Sequence, residues 1–242
     1  MAHPSESPRE LILEGARALR LEVPPEALGR LLAYARLVLE WRDRASLTAY
    51  GALEVIARCL VVESLFCLAA FPFPPRARVI DIGTGAGFPG VPLAVLRPDL
   101  DVTLLEASRR KVAFLEMATQ AIGLAVRIIH GRAEDIARQQ EHREGYGVVV
   151  SRAAAPLRII LELALPLLAV GGAGLFSSGA RAAEEVASAG AHLAALGGVL
   201  GSVWLPPPAL ETVSRVVVVT KVARTPERFP RRFQRMRRDV FT

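Results

Sequence analysis

The sequence predicts an α/β protein, a doubly wound, mostly parallel sheet of about seven strands behind an N-terminal helical cap. Three observations carry this. Short β-branched or leucine-rich runs alternate with helical stretches from residue 78 onward, the pattern of strands joined by crossover helices. A glycine-rich turn, Gly83-Thr84-Gly85-Ala86-Gly87, separates the first of those runs from the first crossover helix, at the position where such sheets bind ligands. Residues 7–70 show no strand alternation, only apolar positions at helical spacing.

In chain order, Leu11, Leu13, Ala16, Leu19 and Leu21 begin a helix that Pro24-Pro25 breaks. A second helix starts at Pro25-Glu26 and runs through Leu28, Leu31, Leu32, Ala35 and Val38 to Trp41. A polar connection over 42–49 leads to a third helix, expected from Leu53 to Leu68. Phe71-Pro72-Phe73-Pro74-Pro75 cannot continue a helix and is taken as the boundary between a cap (1–70) and a sheet domain (71–242). Strands are expected at Arg78–Ile82, Asp101–Leu105, Val126–Ile129, Gly147–Val150, Gly172–Phe176 and within Val213–Val222.

The 242 residues suffice for one full-sized core, and 52% apolar with 22% charged residues is globular composition. The apolar run Leu161–Val170 is interrupted by Glu162 and Pro166 and is too short to span a bilayer. The first residues lack the basic-then-apolar layout of a secretory signal, so a cytoplasmic monomer is expected. Cys59 and Cys67 lie eight residues apart; on a helix that separates their Cα atoms by roughly 12 Å, too far for a disulfide. No Cys or His pair beside them suggests a metal, and they read as small buried hydrophobes. His3, His130, His142 and His192 occur in unrelated contexts and read as surface or strand-end residues rather than catalysts.

Net charge is +6, and all but two of the thirty basic residues are arginine. Arg224, Arg228, Arg231, Arg232, Arg235, Arg237 and Arg238 crowd the stretch 224–242. Such a tail is either a nucleic-acid contact or a solvated end.

The chemistry concentrates at the glycine turn. A Gly-x-Gly-x-Gly spacing with Asp81 two residues before the first glycine differs from a dinucleotide cradle. An acidic strand end suits a ligand with a cationic sulfonium and an amino-acid head better than a pyrophosphate. The second strand ends on Glu106, where a carboxylate can accept both hydroxyls of a ribose or simply favour the next helix N-terminus. The third strand leads into Gly131-Arg132-Ala133-Glu134, at the height of an adenine ring. The pattern points to S-adenosyl-L-methionine, with Asp81, Gly83, Gly85, Gly87, Phe88, Glu106, Ala133 and Glu134 as candidate cofactor-binding residues. Arg152 ends the fourth strand. Its guanidinium could hold a phosphate or the O6/N7 edge of guanine, or form a structural ion pair.

Asp81-Ile82-Gly83-Thr84-Gly85-Ala86-Gly87-Phe88-Pro89-Gly90 resembles the glycine motif of the ribosomal small-subunit methyltransferase G family, also called glucose-inhibited division protein B. Leu47-Thr48-Ala49, Glu63-Ser64-Leu65, Gly131-Arg132-Ala133-Glu134 and Ser151-Arg152-Ala153 resemble further motifs of that family in order and spacing. The resemblance covers roughly residues 10–225. It implies a class I, Rossmann-like methyltransferase fold and N7-methylation of a guanine in the 530 loop of 16S ribosomal RNA, with S-adenosylmethionine as donor. It further implies that Gly83, Gly85, Glu106, Ala133 and Glu134 hold the cofactor and that Arg152 stands beside the reacting centre. Arg228, Arg231, Arg232 and Arg235 are the candidate RNA contacts of the tail, and the small ribosomal subunit or its RNA is the expected partner. Ser46, Leu60 and Ser178 stand where the family carries Asn, His and Lys. Three readings therefore stay open: the ribosomal enzyme, a methyltransferase of another substrate, and a cofactor- and RNA-binding paralogue.

Overall fold

The structure, a computed structural model, describes residues 7–152 and 155–241. Helix α1 (Pro8–Ala18) opens on a capping box: Glu10 N–H donates to Ser7 Oγ, and Ser7 N–H donates to Glu10 Oε2 at 2.8 Å. Helix α2 (Pro25–Trp41) begins at the second of the two prolines, as its sequence predicts. The expected third helix is broken. It is α3 (Leu53–Ile56), a π-helical turn (Ala57–Val62) and α4 (Phe66–Ala70). At that π turn the Cys59 carbonyl also accepts from Arg152, and Ser64 Oγ donates to the Leu60 carbonyl at 2.5 Å. Side-chain donors that compete for helix carbonyls disturb the regular ladder.

The sheet comprises β1 (Arg78–Ile82), β2 (Asp101–Glu106), β3 (Arg127–His130), β4 (Tyr146–Arg152), β5 (Leu168–Ser178), β6 (Gly198–Trp204) and β7 (Arg215–Lys221). Their order is β3-β2-β1-β4-β5-β7-β6, with β7 antiparallel to both neighbours. Strand order reverses between β1 and β4, and ligands of doubly wound sheets bind outside the carboxyl ends at such a point. Crossing over between strands are α5 (Gly90–Leu96), α6 (Arg109–Ala121), α7 (Ala133–Ile136), α8 (Leu157–Ala164) and α9 (Ala182–Ala195); α10 (Phe233–Phe241) follows the sheet.

Successive strand residues bury on opposite faces, as the pleat requires. Val79, Leu104, Val148 and Val150 join a core with the cap helices, α5 and α6. Ile80, Ile82, Leu105 and Val149 join a second core with α8 and α9. The cap therefore packs on the same sheet face as α5 and α6. The edge strand β6 was not expected. Its faces are largely solvated, with Val199 and Leu200 exposed, so no alternation marks it, and a register shift between Leu200 and Ser202 interrupts the pattern further. Two histidines also differ from expectation. His142 is buried, its ring stacked on Tyr146 with Nδ1 2.8 Å from the phenol oxygen. The His192 side chain is buried beside Glu162, 3.1 Å away. His3 lies outside the described residues.

No described helix is long and apolar enough to cross a membrane. Both cysteines are free thiols; Cys67 is buried and Cys59 half-buried.

Tyr34 of α2 is the cap's polar anchor on the sheet. It is fully buried, and its hydroxyl donates to the Ala86 carbonyl at 2.9 Å. Its ring meets Phe88 edge-on, with centroids 5.7 Å apart. Gly87 has φ +86°, and a Cβ there would lie 2.2 Å from the Tyr34 oxygen. Gly87→Ala is therefore expected to destabilise the fold by about 2 kcal/mol or more, through strain and overpacking together. Tyr34→Phe alone should cost about 1 kcal/mol, one hydrogen bond, but should recover part of the Gly87→Ala loss when combined with it. Urea unfolding of the two single variants and the double variant measures this; strictly additive losses would contradict the contact.

Candidate functional site

The turn after β1 is braced from both neighbouring strands. Gly83 N–H and Thr84 N–H donate to the Leu105 carbonyl of β2 (2.9 and 3.2 Å). From β4, Ser151 Oγ donates to the Ile82 carbonyl at 2.8 Å. Gly83 and Gly85 hold φ of +64° and +60°, a region that favours glycine.

Asp81 is fully buried beneath this turn. Its Oδ2 accepts from Thr84 Oγ1 (2.6 Å) and from the Gly90 amide (2.8 Å). A Cβ on Gly90 would sit 2.4 Å from Leu104 Cδ2 and 2.9 Å from that same carboxylate oxygen, so only glycine allows the amide so close. Asp81 Oδ1 is buried without a hydrogen-bond partner among the described residues. Burial raises the Asp81 pKa to about 7, against the opposing pull of the Thr84 and Gly90 donors.

Glu106 closes the turn from the side. Oε2 accepts from the Gly85 amide (2.9 Å) and Oε1 from the Ser108 amide (2.8 Å). Each carboxylate oxygen keeps further acceptor capacity. A cavity of about 200 Å³ opens here, lined by Gly83, Glu106, Ala133 and Glu134 from the predicted set. The Gly131 amide donates to the Glu106 carbonyl at 3.0 Å, which draws the third-strand turn to the second. Gly85 reaches this group through its bond to Glu106, while Asp81 lies under the turn. Gly87 and Phe88 are not among the cavity's lining residues; they pack against the cap at Tyr34. Phe233 of α10 also lines the cavity. Sequence reading passed it over because it lies among arginines; the Phe233-x-x-Met236 spacing, one helical face, was the available signal.

Arg152 ends β4 at the expected edge. Its Nη1 donates to the Cys59 carbonyl and stands 3.7 Å from Glu63 Oε2; Thr212 Oγ1 donates to Glu63 Oε1 at 3.0 Å. Burial lowers the pKa of the guanidinium, with Glu63 the strongest group opposing it. This contact ties the π-helical turn of the cap to the sheet edge. Ala153 lies outside the described residues. A larger cavity of about 820 Å³ lies over the cap, where Glu14, Glu54, Glu63 and Glu211 face a single guanidinium, Arg58. Its charge is wrong for a phosphate chain.

The tail splits. Arg228, Arg232 and Arg235 are exposed. Arg231 is not available to a phosphate as expected, because its Nε and Nη2 donate to the buried carboxylate of Glu162 at 2.8 and 2.7 Å. At Ser46, Leu60 and Ser178 the resemblance leads to an expectation of Asn, His and Lys. Ser46 holds φ +51°, a conformation that Asn tolerates better than most residues. Leu60 is buried in the cap core, and Ser178 Oγ donates to Glu185 at 2.7 Å. Among the described residues no cluster of three or more His, Cys, Asp or Glu could hold a metal.

Comparison with known proteins agrees with this geometry. The family described as rRNA small subunit methyltransferase G matches residues 28–204. The chain is 34% identical over 226 residues to a "Ribosomal RNA small subunit methyltransferase G" of Alkaliphilus oremlandii, covering 93% of this chain and 95% of that one. It is 40% identical over 225 residues to the protein of the same name from Deinococcus deserti, covering 92% of each. Among solved structures, a branched-chain polyamine synthase mutein of Thermus thermophilus superposes with a TM-score of 0.55 at 16% identity, covering 79% of this chain and 64% of that one. That likeness shows the fold.

Asp81 gives the site a pH signature. Because its folded-state pKa lies above the ordinary carboxylate value, its contribution to stability is present at low pH and is lost as pH rises through about 7. Thermal unfolding of the ligand-free protein from pH 5 to 8.5 should show this loss, and Asp81→Asn should remove it. Parallel curves for the two proteins would contradict the assignment.

Proposed function

Because the chain belongs to the rRNA small subunit methyltransferase G family, we propose that it transfers a methyl group from S-adenosylmethionine to N7 of a guanine in the 530 loop of 16S ribosomal RNA. The observation that carries the cofactor half is the joining of Gly83, Glu106, Ala133 and Glu134 around one cavity, with Glu106 fixing Gly85. Gly83 and Gly85 hold positive φ, and a Cβ on Gly85 would find no atom nearer than 3.9 Å, which leaves open space beside that residue. The free acceptor capacity of Glu106 suits ribose hydroxyls. Backbone groups of Ala133 and Glu134 suit the adenine edge. Asp81, buried beneath the turn with one oxygen unpartnered among the described residues, suits a cationic ligand end, whose charge would favour the ionised carboxylate.

The cofactor supplies a methyl group on a positively charged sulfur, and guanine N7 accepts it with its own lone pair. No proton need leave before attack, so positioning and charge balance are what the protein must supply. His142 and His192 are engaged with Tyr146 and Glu162 and fit this absence of a base. Arg152 is held at the sheet edge by the Cys59 carbonyl, and with five N–H donors it retains others for a phosphate or a guanine edge. The exposure of Arg228, Arg232 and Arg235 supports their role as contacts to RNA phosphates, and the engagement of Arg231 with Glu162 argues against that role there.

Transfer from labelled S-adenosylmethionine to unmodified 16S RNA and to 30S particles, with mapping of the product base, tests this reading. The expected product is N7-methylguanine in the 530 loop. Arg232→Ala/Arg235→Ala should raise the RNA KM and flatten its salt dependence by about one to two counterions. Absence of N7 product on both substrates would overturn the proposal.

A further inference from the structure

The C-terminal arm is docked along its length. Arg143 donates to the carbonyls of Phe229 (3.0 Å) and Thr225 (2.9 Å), and Arg138 to that of Pro230 at 2.5 Å. Phe229 is buried and meets His192 edge-on, with centroids 5.9 Å apart. Arg231 follows, bonding Glu162 through its backbone amide (2.8 Å) as well as its guanidinium. Glu162 is 1% exposed, so releasing the arm would strand a buried carboxylate, a strongly disfavoured state. Helix α10 then sets Met236, itself 1% exposed, against Ile159 and Leu163 of α8. These attachments fix where Phe233 stands, packed on that same cluster and lining the cavity that Glu106 and Ala133 also line.

The cavity has two chemical characters. Gly83, Glu106 and the turn amides are polar. Ala133, Ala155, Ile160, Leu163 and Phe233 form an apolar side. A purine ring offers apolar faces and a polar edge, and an aromatic side chain beside it adds stacking to plain burial.

We propose that Phe233 is a cofactor-binding residue, the aromatic wall of the adenine side, delivered by the C-terminal arm rather than by the sheet. The inference rests on the reading of this cavity as the S-adenosylmethionine site. It assigns the arm's two faces different ligands: exposed Arg232 and Arg235 outward to a polyanion, Phe233 and Met236 inward.

Calorimetric titration with S-adenosylmethionine and with 5′-methylthioadenosine tests it, since the second ligand keeps the adenosine and lacks the amino-acid head. Phe233→Ala should weaken both about tenfold, and Phe233→Tyr should stay near wild type. In methyl transfer the cofactor KM should rise while kcat changes little. Phe233→Leu keeps the apolar packing without the ring; its thermal midpoint should stay near wild type while both affinities fall, which answers for any unfolding of the Ala variant. Wild-type affinity of Phe233→Leu for both ligands would overturn the proposal, as would a loss confined to S-adenosylmethionine. If the wild-type protein bound neither ligand, the cavity reading itself would fail and this inference with it.

Discussion

One carboxylate organises the site. Glu106 accepts the amide of Gly85 with one oxygen and that of Ser108 with the other, so it joins the end of β2 to the glycine turn and to the start of α6. Three of the turn's five residues are glycines, so apart from the Thr84 hydroxyl its side chains offer little to hold it. It is held instead from outside: by Glu106 at the flank, by Asp81 beneath, and by Tyr34 of the cap at Ala86. That dependence makes the cap part of the cofactor turn's support, although it contributes no strand.

Two other buried charges, unlike Asp81 Oδ1, are matched by partners from distant segments. Lys221 is fully buried, yet its ammonium donates to Glu144 and to the carbonyls of Leu165 and Leu168, three partners for three donors. Glu162 is matched by Arg231 in the same way. Both pairs tie segments distant in the chain to the sheet's second face. The second of them docks part of an arginine-rich tail against α8 while Arg228, Arg232 and Arg235 stay exposed.

Much of this was legible in the sequence where local pattern and function coincide. Buried parallel strands are runs of Val, Ile and Leu, and the spacing of Gly83, Gly85 and Gly87 marks the turn. Asp81 and Glu106 could be picked out because they lie at the carboxyl ends of β1 and β2, and Ala133-Glu134 because they follow β3, the side of such a sheet where ligands bind. What stayed hidden depends on contacts between distant residues. Tyr34 looks like any aromatic on a helix until Ala86 meets its hydroxyl. Arg231 and Arg232 are adjacent and chemically identical, and only the fold gives one of them Glu162. His142 is buried and His192 half-buried, because Tyr146 and Glu162 receive their side chains. Strand β6 is solvated at the sheet edge and therefore carries no alternation to read.

The central claim is that the Glu106 carboxylate both sets the turn and receives the cofactor. Calorimetry of S-adenosylmethionine binding to Glu106→Ala tests it most directly, with thermal unfolding as a check that the sheet remains formed. The expected loss of affinity is about a hundredfold or more, since the Gly85 and Ser108 amides lose their acceptor together with the ribose hydroxyls. A folded Glu106→Ala protein that bound the cofactor with wild-type affinity would contradict it.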